Sequence, residues 1–305
     1  MRGNGEIVIK PTFDLARPFS EGLAGVVVGE KSGFIDKMGR LVIKPQYDHA
    51  SPFFEGVATV VSNEKAGFID STGRLIINYQ FSDATTFFGG FAAVQVKDKY
   101  GFIDKTGKFI IKPQFDLAFV FVENLACIVK DGKFGFINKS GQIVIRPEFN
   151  HAESFSEGLA LVIVGKKFCF IDSSGKIIIK PQFEVDEKNG IGSFSDGLAR
   201  VMIDNKWGFI NKSGQVAIKP QFDLALDFKE SVAAVRVGQR LGFIDKSGQM
   251  VIQPQFGYTE SFENGLARVA KELQFKASTG SLPIYDGLGY IDKKGKYVFG
   301  PVKQD

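Results

Sequence analysis

Gly33-Phe34-Ile35-Asp36 returns along this chain at Gly67, Gly101, Gly135, Cys169, Gly208, Gly242 and Gly289, with Cys once in place of Gly and Asn in place of Asp at Asn138 and Asn211. The spacings are 34, 34, 34, 34, 39, 34 and 47 residues. A fixed period with rare insertions means one supersecondary unit copied many times, and neighbouring copies must share their hydrophobic faces. The expected organisation is therefore one repeat domain over residues 1–305, with eight units of about 34 residues anchored at those positions.

Around Gly135 the unit reads as four extended segments. Leu125–Val129 is strand A, Lys130–Lys133 a charged reversal, Phe134–Ile137 strand B and Asn138–Gly141 a tight turn with Gly at its end, where positive φ is needed. Gln142–Ile145 is strand C, and Arg146-Pro147 is expected to end it, since Pro cannot donate to a ladder. Phe149–Phe155 follows as segment D and leads into the next strand A. Nowhere do apolar residues recur at the helical spacing, so the chain is all-β. Four-stranded units in this number suit a β-propeller; an open, twisted stack of hairpins is the alternative. Strand A, with its small Gly-Leu-Ala start, is expected innermost, and the Phe of segment D between blades. The chain starts with a C and a D (Ile7–Ile9, Phe13–Ala16) and ends on A, B and C (Tyr297–Phe299), so the N-terminal strand is expected to complete the last unit and close a ring.

Composition points to a core-builder. There are 31 Phe against 7 Tyr and 1 Trp, and Phe carries no polar group to satisfy. The net charge of +4 is dispersed, with no like-charge run, which argues against a nucleic-acid partner. No apolar run approaches membrane-spanning length, and no apolar leader is visible, so a cytoplasmic location is the default unless a signal has been cleaved.

Asn205-Lys206-Trp207-Gly208-Phe209-Ile210-Asn211-Lys212-Ser213-Gly214, followed by Ile218-Lys219-Pro220-Gln221-Phe222-Asp223, resembles the WG (or KWG) repeat of bacterial proteins, and the likeness runs through nearly the whole chain. The Trp is the point of departure: Ser32, Ala66, Tyr100, Phe134, Phe168, Leu241 and Leu288 stand at its phase. The position is read as packing. The family implies no defined activity to carry over.

No constellation of catalytic residues is legible. His49 and His151 lie three whole periods apart, too far to converge on one metal or nucleophile. Cys127 and Cys169 sit at apolar phases, as buried small hydrophobes do. The Asp or Asn after Phe-Ile is followed in most units by Lys, which suits an Asx turn and not a cation site. Lys10, Lys44, Lys112, Arg146, Lys180 and Lys219 precede Pro or its neighbour in phase, with Asp14, Asp48, Asp116, Glu184 and Asp223 nearby; these are read as paired surface charges, or as an anion-binding rim. Breaks in the period are more telling. Five residues are added between Phe183 and Phe194, and 13 between Leu266 and Gly289.

The expected function is a non-enzymatic scaffold without metal or cofactor, presenting loops to a protein or an envelope polymer; the alternative is a multivalent glycan-binding propeller. The candidate contacts are Phe275, Lys276, Tyr285 and Asp286 in the 273–287 insertion, with Lys10 and Lys44. Solution scattering separates the two architectures. A compact ring of this length should give a radius of gyration of about 19–20 Å. An open sheet of about 24 strands at roughly 4.8 Å spacing should give about 33 Å, and that value would exclude the propeller.

Overall fold

The computed structural model describes residues 9, 12–184, 191–274 and 284–302. It is an all-β repeat protein of eight blades, a β-propeller arrangement, with no helix among the described residues. Two compact halves can be distinguished, residues 7–155 with 173–175, and residues 156–172 with 176–305. Each is built on the same unit.

Units 1 to 5, 7 and 8 each form a four-stranded sheet in the order D–A–B–C, and unit 6 forms A–B–C. In unit 4 these strands are Leu117–Val122, Leu125–Lys130, Lys133–Asn138 and Ile143–Phe149. Strand A is thus interior to its sheet, with D on one edge and C on the other, which corrects the expectation that A is the innermost strand. Segment D belongs with the A, B and C that follow it. At the N-terminus Leu15–Ser20 pairs with Leu23–Val28 of the first sheet, and the last unit has its own D, Tyr258–Thr259. The N-terminal D therefore does not complete the last unit. Ile7 and Val8, in the surplus C segment, lie outside the described residues.

The Gly of the repeated phrase is required by strand C. Ser32 pairs with Tyr47 but Phe34 with Ile43, so C gains residues in a bulge opposite Gly33. A Cβ on Gly33 would lie 2.6 Å from the Ile43 oxygen and 2.6 Å from the Pro45 nitrogen. Gly101, Gly135, Gly208 and Gly242 meet equally close backbone. Pro45 accordingly lies inside Leu41–Tyr47, and Pro147 inside Ile143–Phe149, where it had been expected to end the strand. An edge strand tolerates the missing donor. Unit 5 keeps the B–C register with Cys169 at this phase, so the close approach must open there.

Phe residues join unit to unit, as expected of segment D. Phe34 of the first strand B contacts Phe53 beyond the second D, with ring centroids 4.8 Å apart. Phe68–Phe87, Phe102–Phe121, Phe136–Phe155, Phe170–Phe194, Phe209–Phe228 and Phe243–Phe262 repeat the contact at 4.7–4.9 Å. Such pairs contribute about 0.5–1.5 kcal/mol each beyond the area they bury. A second contact seats the B–C turn. Asp104 Oδ1 accepts from the Thr106 and Lys108 amides in an Asx turn, and Gly107, at φ +82°, lies over Ile77 of the preceding strand C.

The corner between C and the next D holds the charges. Asp48 accepts from Lys31 Nζ (2.5 Å) and from the Asn63 amide (2.8 Å) at the neighbouring A–B tip. Asp116 does the same with Lys99 and the Gly132 amide, and Asp223 with Lys206 and the Gly238 amide. The expected pairing with the lysines before Pro is thereby corrected: the partner is the Lys that opens strand B. Lys44 stands exposed in the middle of an edge strand, not on a loop rim, and Lys10 is outside the described residues.

Two outcomes follow. Gly101→Ala should lower stability by about 1–3 kcal/mol, the range for overpacking, read as a fall in the urea midpoint. The Lys ammonium, then the tip amide, hold Asp48, Asp116 and Asp223 below the usual carboxylate range. Because the folded pKa is the lower one, their contribution is present above the unfolded value of about 4 and is lost as pH falls through the folded value. Replacing all three by Asn should flatten the acid side of the stability–pH curve; an unchanged slope would show that these corners carry no pH-linked stability.

Candidate functional site

Unit 8 breaks the charged corner and carries the longest insertion in the same place. Gly257 stands where Asp48, Asp116 and Asp223 stand elsewhere, and Arg240 replaces the Lys that opens strand B. The inserted residues extend the A–B hairpin. Strand A, Leu266–Ala270, continues after one residue as Glu272–Gln274, which pairs antiparallel with Ile284–Asp286 before strand B, Leu288–Asp292.

The base of this ribbon is held by backbone and by one ion pair. Arg240 Nη1 donates to the Lys271 oxygen (2.7 Å) and Nη2 to Glu272 Oε1 (2.7 Å). The Gly257 amide reaches the Ala270 and Lys271 oxygens at 3.0 and 2.9 Å, a close approach made next to a residue without a side chain. Lys271 N donates to the Asp286 oxygen (2.9 Å). Gly287, at φ +67°, turns the chain back into the sheet, and a Cβ there would lie 2.9 Å from the Lys271 Cβ. The corner lock seen at Asp48, Asp116 and Asp223 has here become a clamp on an elongated hairpin.

Of the expected contact residues, Asp286 lies at the root of the ribbon, half-buried, and the backbone of Tyr285 is in its second strand. Phe275 and Lys276 lie outside the described residues, as do residues 185–190 of the shorter insertion. Arg240 and Glu272 were not anticipated. Their signal was present: a Lys-to-Arg change in unit 7 and an Asp-to-Gly change, both at the corner where unit 7 meets the unit that bears the insertion.

Where sequence invites catalytic readings, the geometry is that of packing. Cys127 and Cys169 are buried, and desolvation pushes their thiols up to about 12 and about 11, away from the thiolate needed for nucleophilic attack. His151 faces the Phe134 ring at 5.2 Å, and no group of three His, Cys, Asp or Glu among the described residues is placed to hold a metal. Trp207 is 3% exposed, with the Arg200 guanidinium 5.4 Å from its ring centre, in the core of unit 6. Arg200 also donates to the Ala225 oxygen (2.9 Å) and pairs with Asp227. None of the described residues forms a helix long and apolar enough to cross a membrane.

Comparison with known proteins bears on the fold. None of the curated proteins matches this sequence. Among solved structures, a eukaryotic initiation factor is similar at 10% identity and a TM-score of 0.64, over 95% of this chain and 89% of that one. BamB from Moraxella catarrhalis is similar at 12% identity and a TM-score of 0.53, over 85% of this chain and 94% of that one. At such identities the likeness is one of fold alone. The family model described as the WG containing repeat matches eight times, at residues 2–31, 33–65, 67–100, 100–134, 134–168, 170–207, 207–240 and 242–272. With its Gly-Phe-Ile strands, corner charges and inter-unit Phe contacts in phase with those matches, the chain belongs to the WG-repeat family.

Proposed function

We propose that the chain is a non-enzymatic binding scaffold that meets a protein or an envelope polymer through the A–B ribbon of unit 8. The observation that carries this reading is the clamp at the ribbon's root. A drifted terminal repeat would simply lose the Lys–Asp corner. Here the corner is replaced by a different pair, Arg240 with Glu272, together with Gly257 against the Lys271 carbonyl. Long connections on a rigid β scaffold are where recognition is usually placed. Glycan binding has weaker support, because the one Trp that could serve as a stacking platform is buried beneath Arg200.

Replacement of residues 274–285 by a two-residue Asn-Gly turn should leave thermal unfolding nearly unchanged and abolish cross-linking to the partner in cells. An unchanged cross-linking profile would remove the proposal. A glycan array with hits that survive the excision would favour the lectin reading. Arg240→Ala should cost no more than about 1 kcal/mol of global stability, as expected of a half-exposed ion pair, while speeding hydrogen exchange of the ribbon amides.

A further inference from the structure

At the opposite end of the sheets, where D turns into A and B into C, a carboxylate links one unit to the next. Glu21 accepts from the amides of Glu55 (2.7 Å) and Gly56 (2.9 Å) in the following D–A turn. Glu55 accepts in turn from Gly89 (2.6 Å) and Gly90 (3.1 Å), Glu157 from Gly197 (3.0 Å), and Glu230 from Gly265 (3.0 Å). In three units a Lys of the following B–C turn completes the site. Lys105 reaches the Glu55 carbonyl at 2.7 Å and its carboxylate at 3.2 Å, and Lys212 and Lys293 do the same at Glu157 and Glu230. The result is a recurrent cradle of backbone N–H and ammonium, built to hold one carboxylate.

In unit 3 the cradle exists without its carboxylate. Gly89 occupies the Glu position, at φ +63°, close to the φ of +51° to +54° adopted by Glu21, Glu55, Glu157 and Glu230. Lys139 is in phase with Lys105 and Lys212, and its Nζ would lie 3.5 Å from a Cβ on Gly89. The following D–A turn, Glu123 (φ +50°) and Asn124 (φ +70°), repeats Glu55 (φ +53°) and Gly56 (φ +80°), so the Asn124 N–H takes the place held elsewhere by Gly56, Gly90 and Gly265. Among the described residues Lys139 meets no carboxylate. Its recorded contact is the Phe91 ring, with Nζ 5.9 Å from the centroid, and Phe91 stands where most units have Leu or Val. An exposed cation–π contact at that distance is weak and leaves the ammonium's other donors open.

We propose that the corner formed by Gly89, Asn124 and Lys139 binds an exogenous carboxylate, seated on the Lys139 ammonium and the Asn124 N–H as Glu55, Glu157 and Glu230 are seated in their own units. This site is independent of the ribbon and stands or falls separately from it.

The test is a titration of the full ¹⁵N-labelled chain with sodium acetate against sodium chloride at equal ionic strength. Acetate should produce saturable shifts centred on the Asn124 amide, and Lys139→Gln should weaken the apparent affinity by about tenfold, the scale of one charge-assisted hydrogen bond. Gly89→Glu supplies the carboxylate in cis; it should remove the acetate response and raise the thermal midpoint. Acetyl-glutamate amide, run in parallel, distinguishes the sources. Tighter binding than acetate identifies a protein side chain as the ligand, and equal binding a small free carboxylate. Shifts matching those of chloride, or unaffected by Lys139→Gln, would overturn the proposal, and the Lys139→Gln comparison decides it even if Gly89→Glu fails to fold.

Discussion

The contact on which the rest depends is the tilted Phe–Phe pair between strand B of one unit and the D–A segment of the next. A 34-residue sheet has one face too many to bury by itself. The pair supplies the missing face, and it recurs at nearly constant separation from Phe34–Phe53 to Phe243–Phe262. Nearby, the Ser20 hydroxyl donates to the Phe53 carbonyl (2.6 Å), and Ser195 to that of Phe228 (2.6 Å), which fixes the height at which each ring enters. The same spacing aligns the B–C turn with the preceding strand C, so that Gly107 sits on Ile77 and Gly141 on Ile111. A repeat protein of this kind has no central residue. Its stability is a sum of nearest-neighbour terms, and this pair is the most regular of them.

Much of this was legible in sequence because it is local. Asn138-Lys139-Ser140-Gly141 is a turn in any context, and the Phe of segment D recurs in a phase that only an inter-unit contact requires. What was not legible follows from the nature of a period. A strictly periodic string does not say where its unit begins; only the pairing of Leu15–Ser20 with Leu23–Val28 assigns segment D to the sheet that follows it. The Pro inside strand C reads as a terminus in sequence because the bulge opposite Gly33 is a property of two strands together. Likewise Asp48 lies near Lys44 in sequence, but register brings it to Lys31, 17 residues away.

Departures from the period divide into two kinds. Some are absorbed as packing: Cys169 at a Gly phase, and Trp207 at a position held elsewhere by Ser, Ala, Leu, Tyr or Phe. Others change several positions together. Arg240, Gly257 and Glu272 all alter in step with the lengthened hairpin, and Gly89 departs from Glu opposite a Lys that keeps its phase. The physical distinction is whether a polar group is re-paired or left facing solvent. That distinction requires the neighbour's identity, which a single repeat cannot supply.

The strand-C proline has a consequence for how such a molecule survives at high concentration. Most sheets end on an edge bearing exposed aliphatics, among them Leu41, Val42, Ile143, Val144 and Val216. Several such borders in one chain would ordinarily invite strand-to-strand growth between molecules, the first step toward fibres. Pro45, Pro113, Pro147, Pro181, Pro220, Pro254 and Pro301 each withhold a donor midway along that border, and in most units a Lys, Arg or Gln stands immediately before. Unit 2, with Asn78-Tyr79, keeps its donor there. The residue that bends the edge to fit its glycine thus also keeps the apolar borders of neighbouring molecules from zipping together.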